Sequence, residues 1–280
     1  MTDTSAMPDN WAGDRGERWL RDLDAMEAML APIGDAALAQ AAYAQGERVI
    51  DIGCGGGWTT RRIGAAVGAE GLALGLDISP VLVGEASRRA ATLPQVQFRA
   101  GDAATEVLGE APLDRLFSRF GVMFFPDPAA AFRNLASMLV PDGRVDLAIW
   151  ANPKWNPWMM EMRRVVGAHV ELPGPEPLAP GPFQLADPDF HAALLQDAGF
   201  HSVARRLLEL PLMFGGPGST PASAAAFALR AFSVGELAEA AGPSVRAAVT
   251  SDLERLYAQN ETDGGIAMPA SVWLLSARKV

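Results

Sequence analysis

A glycine-rich loop preceded by an acid is the most chemically informative part of the chain. The short apolar run 48–52 contains Asp51 and leads into glycines at positions 53, 55, 56 and 57. Glycine in or beside a strand loses much conformational entropy on folding, so such a cluster indicates positive φ angles or close approach of the backbone to a ligand. Open α/β sheets bind ligands at the carboxyl ends of their strands, which makes this loop a candidate ligand site.

Two familiar nucleotide-binding patterns fit this loop poorly. The dinucleotide fingerprint G-x-G-x-x-G matches at Gly53 and Gly55, but Trp58 stands where the third glycine belongs. The phosphate-binding P-loop requires Gly-Lys-Ser/Thr, and no such triplet follows the loop. The pattern is instead an acid, Asp51, followed by alternate glycines up to Gly57. A dinucleotide-dependent oxidoreductase is therefore a distant alternative.

Two further acids follow the next predicted strands. Asp77 ends the apolar run 72–76, from where a carboxylate can accept both hydroxyls of a ribose, and Asp102 follows a third strand at 96–98. Each acid has a purely structural alternative. Asp77 precedes Ser79 and Pro80 and could cap a helix, while Asp102 could be an ordinary turn residue.

Together these motifs resemble the class I, Rossmann-like S-adenosylmethionine-dependent methyltransferases. The similarity continues through residues 113–125, LDRLFSRFGVMFF, and residues 139–145, LVPDGRV. It is strong over residues 48–150 and weaker over residues 194–200, LLQDAGF, and the last predicted strand. Each motif alone is weak evidence for this family, whereas the order and spacing of the motifs together are specific to it.

The resemblance implies a role for each matching residue. Gly53 and Gly55 would let the backbone approach the methionine portion of S-adenosylmethionine, and Asp51 would organise the loop. The other cofactor-binding residues that it implies are Cys54 in the same loop, Asp77 for the ribose, Ile78 against the adenine, Asp102 with Ala103 for the adenine amino group, and Ser118 with Arg119 lining the methyl-transfer face. The thiol of Cys54 is expected to be a small packed group without chemistry of its own.

The elements that must position these residues follow an alternating pattern. Apolar runs at 48–52, 72–76, 96–98, 113–117 and 145–150 indicate strands, and the segments 61–67, 81–93 and 128–139 between them are typical of helices. Such alternation predicts an α/β fold with helices on both faces of a parallel sheet. With the resemblance, the expected architecture is a doubly wound, mostly parallel, seven-stranded Rossmann-like sheet.

Helical segments are expected to flank and interrupt this sheet. Residues 11–45 have helical spacing interrupted at Pro32 and Gly34, which predicts two helices before the first strand. We therefore expect an N-terminal helical segment over residues 1–46 and a methyltransferase domain over residues 47–280. Cap insertions are predicted at about 151–186, which is rich in proline, and 215–262, which is rich in alanine.

Methyl transfer from a sulfonium is an in-line displacement in which positioning alone contributes about 7–11 kcal/mol. A general base is needed only for a protonated, weakly acidic nucleophile. His169 is the candidate base because the proline-rich insertion around it could fold over the site. His191 and His201 are more simply explained as packed or surface residues. Neither a metal nor its clustered acidic ligands are implied.

The acceptor is expected to be a small, partly apolar molecule. Tryptophans and methionines of the first insertion, including Trp155 and Trp158, and Phe227 and Phe232 of the second, are either ordinary core or the roof of an apolar pocket. Trp11 and Trp19 could contribute to the same lid. Two alternatives remain, namely that the fold binds S-adenosylmethionine for chemistry other than methyl transfer, or that the chain is a non-catalytic regulatory homologue.

Composition narrows the partners and the compartment. The 280 residues carry a formal net charge of −10, which disfavours a nucleic-acid partner. No apolar run approaches the length of a membrane span, and the N-terminus lacks the pattern of a secretory signal, so a soluble, cytoplasmic protein is expected. Cys54 is the only cysteine, which excludes an internal disulfide. The oligomeric state is left open, with a homodimer as one possibility.

Overall fold

The computed structural model describes residues 10–107, 112–174, 176 and 178–280. The first nine residues of the predicted N-terminal segment therefore lie outside the described residues, as do Pro175 and Pro177 of the first predicted cap insertion. None of the described helices is long and apolar enough to cross a membrane.

One sheet organises the molecule. Its strands are β1 Arg48–Ile52, β2 Leu72–Asp77, β3 Val96–Ala100, β4 Leu113–Arg119, β5 Leu139–Trp150, β6 Phe200–Met213, β7 Glu261–Thr262 and β8 Gly265–Lys279. The strand order is β3-β2-β1-β4-β5-β8-β6, and the two-residue β7 pairs with β8 beside this path. β1 to β5 run parallel, whereas β8 is antiparallel to both β5 and β6. The expected doubly wound, mostly parallel sheet is confirmed.

Helices surround the sheet. They are α1 Asp14–Arg21, α2 Leu23–Ala41, α3 Trp58–Val67, α4 Pro80–Arg89, α5 Pro128–Ser137, α6 Pro157–Gly167, α7 Pro188–Asp197, α8 Pro221–Ala231, α9 Val234–Ala240 and α10 Pro243–Ala258. α3 packs on β1 and β2, and α4 packs on β2 and β3. The central strands are apolar on both faces, and every residue of β2 is buried.

The N-terminal helices divide at a different point from the predicted one. The break falls at Asp22, and α2 continues through both Pro32 and Gly34. A proline inside a helix removes one backbone hydrogen bond. The buried face of α2, which includes Met26, Met29 and Ile33, packs into the core and offsets this cost.

The predicted cap ranges contain helices. α6 lies within 151–186, and α8, α9 and α10 lie within 215–262. α8 packs against α10, and α10 also contacts α6. α1 contacts both α4, which packs on the sheet, and α8. The division of the chain into an N-terminal segment, a domain and two insertions stays a prediction.

Candidate functional site

The glycine loop after β1 has the backbone geometry that its sequence indicates. Gly53, Gly55 and Gly57 all have positive φ, at 66°, 54° and 77°. A Cβ atom at Gly53 would lie 2.5 Å from the Cα atom of Gly121, which follows β4. Side chains are thus excluded at Gly53 by both conformation and space, and the loops after β1 and β4 touch.

Asp51 lies beneath this loop, and only one of its two carboxylate oxygens is hydrogen-bonded. It is 1% exposed, and its Oδ2 accepts hydrogen bonds of 2.6 Å from the hydroxyls of Thr59 and Thr60 at the start of α3. Its Oδ1 is buried and has no hydrogen-bond partner. Burial raises the pKa of Asp51 to about 6, against the opposing effect of the two threonine bonds. A buried, unpartnered carboxylate oxygen suits a cationic or donor group of a ligand.

Asp77 connects the end of β2 to the glycine loop. Its Oδ2 accepts from the Gly55 amide at 2.8 Å, and its Oδ1 accepts from the Ser79 amide at 2.9 Å. Ser79, not Asp77, is the N-cap residue of α4. Burial raises the pKa of Asp77, while the two amide bonds act in the opposite direction. Each carboxylate oxygen keeps a second lone pair, so the group can still accept hydroxyl donors.

The residues predicted to hold an adenine are close to the carboxyl end of β3 and the start of α4. Ile78 is 43% exposed, which is unusual for a large apolar side chain. Asp102 is exposed and its Oδ1 accepts from the Ala104 amide at 2.9 Å, as in a turn. The side chain of Ala103 is buried. The turn geometry of Asp102 leaves its second oxygen open to solvent or a ligand.

The end of β4 contributes three residues with different roles. Ser118 is fully buried, and its hydroxyl donates to the Ile52 carbonyl at 2.8 Å, so it braces β4 against β1. Arg119 is half-buried beside Trp58, with its Cζ 5.2 Å from the indole centroid. Phe120 has a positive φ of 69°, which is rare for a bulky residue, and its ring stacks on Trp150 at 4.2 Å.

The N-terminal helices cover the glycine loop. A Cβ atom on Gly55 would be 4.0 Å from Nε1 of Trp19, and one on Gly56 would be 2.7 Å from Oε1 of Glu27. Trp11 connects this cover to the loop after β4, with ring centroids 5.5 Å from Trp19 and 5.2 Å from Phe124. The sequence indicated the two tryptophans as lid residues. It did not indicate Glu27, because nothing local shows which face of α2 meets the loop.

Cys54 and the three histidines differ in burial and in hydrogen-bond partners. The Cys54 thiol is buried, and burial raises its pKa, so it behaves as a packed apolar group within the loop. His169 follows α6, and its Nε2 lies 2.7 Å from Oδ2 of Asp252 in α10. His191 is buried in α7, and His201 is exposed on β6. The structure thus places His169 among the cap helices, and its role as a base stays a prediction.

An aromatic stack extends from the strand ends into the cap helices. Trp150 at the end of β5 contacts Phe120 on one side and Trp158 of α6 on the other, the latter at 5.0 Å. Trp158 in turn neighbours Phe214 and Phe232, at 6.2 Å and 5.8 Å. Phe120, Trp150, Trp158 and Phe214 are all buried, so this stack is part of the hydrophobic core beside the ends of β4 and β5. In the described residues, no group of three or more His, Cys, Asp and Glu side chains is arranged to hold a metal ion.

The arrangement resembles known proteins in sequence and in fold. The family model of a methyltransferase domain matches residues 49–143. A 2-phytyl-1,4-naphthoquinone methyltransferase of Thermosynechococcus vestitus is 27% identical over 182 residues, which cover 61% of this chain and 78% of that protein. A trans-aconitate 2-methyltransferase of Methylobacterium nodulans is 37% identical over 130 residues, covering 46% of this chain but only 48% of that protein.

The fold has solved counterparts as well. The crystal structure of an S-adenosylmethionine-dependent methyltransferase from Aquifex aeolicus superposes with a TM-score of 0.51 at 17% identity, covering 70% of this chain and 92% of that one. The fold is Rossmann-like, with the glycine loop and the acids at the strand ends where such folds bind ligands. Residues 49–143 match a methyltransferase domain, and the relatives and the fold support a class I S-adenosylmethionine-dependent methyltransferase with S-adenosylmethionine as its cofactor.

Proposed function

We propose that the chain transfers the methyl group of S-adenosylmethionine to a small, partly apolar molecule by in-line displacement and releases S-adenosylhomocysteine. The observation that carries this proposal is the direct hydrogen bond between the glycine loop and Asp77. The hydrogen bond from the Gly55 amide to the Asp77 carboxylate joins the loop that would approach the methionine portion to the acid that would bind the ribose. Methyl transfer is favoured over other uses of the same cofactor by the methyltransferase relatives.

The cofactor would lie across the ends of β3, β2, β1 and β4. Adenine would rest on Ile78 near Asp102, and the ribose hydroxyls would donate to Asp77. The methionine portion would follow the glycine loop above Asp51. The loops after β1 and β4 touch at Gly53 and Gly121, so the sulfonium would face the end of β4. When bound, the cofactor supplies the electrophilic methyl group.

The protein's share of the reaction is positioning and exclusion of water. Trp19 lies over Gly55, and Trp11 extends this cover to Phe124, so the N-terminal helices close the space where the methyl would be exchanged. Phe120 and Trp150 stack on each other beside it, and both are buried in the hydrophobic core. Relatives named for a naphthoquinone and for trans-aconitate support a small-molecule acceptor, and the naphthoquinone alone supports its partly apolar character.

The remaining assignments are part of the same proposal. Residues 47–280 would form the catalytic domain, with residues 1–46 and the insertions at about 151–186 and 215–262 as its cover. The acceptor is a small molecule and not a nucleic acid, which the net charge of −10 disfavours. His169 is retained only as a candidate base, because its bond to Asp252 holds it among the cap helices. Metal independence likewise stays a prediction.

Calorimetric titration with S-adenosylhomocysteine tests the ribose assignment. Asp77→Asn removes the charge and one acceptor site, and we expect affinity to fall by a factor equivalent to about 1–3 kcal/mol. Asp187→Asn is the matched control, because Asp187 also accepts backbone amides, from Asp189 and Phe190, but caps α7 instead. The control is expected to bind like the wild type. Equal affinity for Asp77→Asn and wild type would contradict the assignment.

A further inference from the structure

Arg119 is a partly buried cation with few partners. Its Nη1 donates to the Leu30 carbonyl at 3.2 Å, and its guanidinium lies over the ring of Trp58. In the part of the chain that the structure describes, no carboxylate oxygen comes within 4.0 Å of its nitrogens. A guanidinium has five N–H donors, so most of its hydrogen-bonding capacity is unused.

The acids nearest to Arg119 are engaged elsewhere. Glu27 pairs with Arg89 at 3.1 Å, and Asp35 pairs with Arg62 at 3.2 Å. Asp51 directs its Oδ2 to Thr59 and Thr60. Burial lowers the pKa of Arg119, although these three acids oppose the shift from a distance. The positive charge of Arg119 is therefore less compensated than a buried ion normally is.

Two other arginines of low exposure are compensated by nearby acids. Arg115 meets Asp146 at 2.9 Å and Glu47 at 3.1 Å. Arg89 meets Asp24, Glu27 and Glu85 at 2.8, 3.1 and 2.6 Å. Among the described residues, Arg119 has no such partner, although it ends β4, and the loop that follows β4 touches the glycine loop. An anion from outside the chain would complete its surroundings.

The topology indicates which part of the cofactor this anion belongs to. β1 lies between β2 and β4, so Asp77 and Arg119 lie on opposite sides of the glycine loop. Asp77 suits the ribose, which leaves the other end of the cofactor for Arg119. α3 begins beside Arg119 at Trp58, and its N-cap Gly57 has no side-chain cap, so the positive end of the helix dipole also favours an anion here.

We propose that Arg119 binds the carboxylate of the methionine portion of S-adenosylmethionine and so selects for the intact amino-acid end of the cofactor. Asp51, with its unpartnered Oδ1, would face the neighbouring ammonium. This inference rests on the proposed function and changes the role expected for Arg119 from lining the methyl-transfer face to holding the opposite end of the cofactor. A carboxylate of the acceptor is the other source of the same chemistry, and the test separates the two.

The test compares two ligands that differ only in the carboxylate. S-adenosylhomocysteine carries it, and S-adenosyl-3-thiopropylamine lacks it while keeping the nucleoside, the sulfur and the amine. With Arg119→Met we expect affinity for S-adenosylhomocysteine to fall by at least about tenfold, as for a lost charge-assisted hydrogen bond. Affinity for the amine is expected to stay within about twofold of the wild type, because it has no carboxylate for Arg119 to bind.

Arg62→Met is the matched control. Arg62 lies over the same indole, with its Cζ 4.2 Å from the ring centroid, but it is paired with Asp35 and half exposed. Arg62→Met should leave the affinities for S-adenosylhomocysteine and for the amine unchanged. Arg119→Lys keeps the charge and is expected to recover part of the lost affinity for S-adenosylhomocysteine. Thermal unfolding of all three variants checks that they fold.

Three results would overturn the proposal. Equal weakening of both ligands by Arg119→Met would indicate a structural role. An unchanged affinity for S-adenosylhomocysteine together with a raised KM for a carboxylate-bearing acceptor would assign Arg119 to the acceptor. Failure of the wild type to bind either ligand would contradict the proposed function itself, and this outcome is distinct because it does not depend on the variants.

Discussion

At the scale of single residues, the site is a set of charges that a ligand would complete. Asp51 has one buried oxygen without a partner, Asp77 holds two amides, and Arg119 lacks a close acid. These residues are near one another because three adjacent strands end there. Two of these charges were expected from local patterns, the acid before the glycines and the acid after the second strand. The isolation of Arg119 depends on α2 and α3, so no local pattern could have shown it.

The protonation of Asp51 makes cofactor binding depend on pH. Burial raises its pKa to about 6 in the free protein. A ligand ammonium beside its Oδ1 would favour the charged form and lower that pKa, so binding must displace a proton at acidic pH. We expect affinity for S-adenosylhomocysteine to be constant above about pH 7 and to fall by up to about tenfold per pH unit below pH 6.

Titration calorimetry at several pH values checks whether the affinity for S-adenosylhomocysteine falls at acidic pH as expected. Asp51→Asn should bind more weakly at neutral pH and show a flatter profile. The groups near the Asp51 carboxylate are the hydroxyls of Thr59 and Thr60, the guanidinium of Arg119 and the carboxylate of Asp77. Burial also raises the pKa of Asp77, so any remaining slope in the variant reports on that second acid. A profile that is identical in wild type and Asp51→Asn would contradict the role of Asp51.

At the scale of elements, the fit between α2 and the start of α3 positions the site. Gly34 lies in α2 opposite Trp58, and a Cβ atom there would be 2.5 Å from Cζ3 of Trp58 and 3.0 Å from Nη1 of Arg119. The sequence suggested Gly34 and Pro32 as a helix break, whereas the structure uses Gly34 for close packing within one continuous helix. A helix-breaking residue and a packing residue look alike in sequence, because the difference lies in a partner distant along the chain.

Replacing this glycine should harm the protein despite better helix propensity. We expect Gly34→Ala to lower thermal stability and to weaken S-adenosylhomocysteine binding, because Trp58 and Arg119 must move to make room. Gly84→Ala is the matched control, since Gly84 lies within α4 and an added Cβ atom meets nothing within 4 Å. The control should raise stability by up to about 1 kcal/mol. Scanning calorimetry would contradict this account if both substitutions stabilised the chain.

The start of β5 likewise depends on contacts with residues that are distant along the chain. β5 was expected from residue 145, but it begins at Leu139 directly after α5. The stretch around Pro141 and Gly143 looks like a turn in sequence, and Asp142 does adopt a positive φ of 60°. The segment is nevertheless kept in the sheet, with a register shift opposite β4 between Leu113 and Arg115. Pairing with a neighbouring strand overrides the local turn preference here.

At the scale of the whole molecule, the first half of the chain holds the glycine loop and the predicted cofactor-binding residues, and the N-terminal helices cover that loop. The alternation of strands and helices predicted the sheet, because periodicity and glycine placement are local signals. The packing of α1 and α2 on the glycine loop, and of α8 on α1, was not predictable in detail. It depends on distant contacts such as the ion pair between Arg230 of α8 and Asp22, at 2.8 Å, which joins residues 208 positions apart.

Transfer of a labelled methyl group tests the central claim most directly. The protein is incubated with S-adenosylmethionine labelled in its methyl group and a cell extract that holds both small molecules and macromolecules, and products are separated by size and identified by mass. We predict label in a small molecule heavier by one methyl group, equimolar S-adenosylhomocysteine, full transfer with Asp187→Asn and reduced transfer with Asp77→Asn. Label that enters only macromolecules, or that stays on S-adenosylmethionine despite its tight binding, would contradict the account.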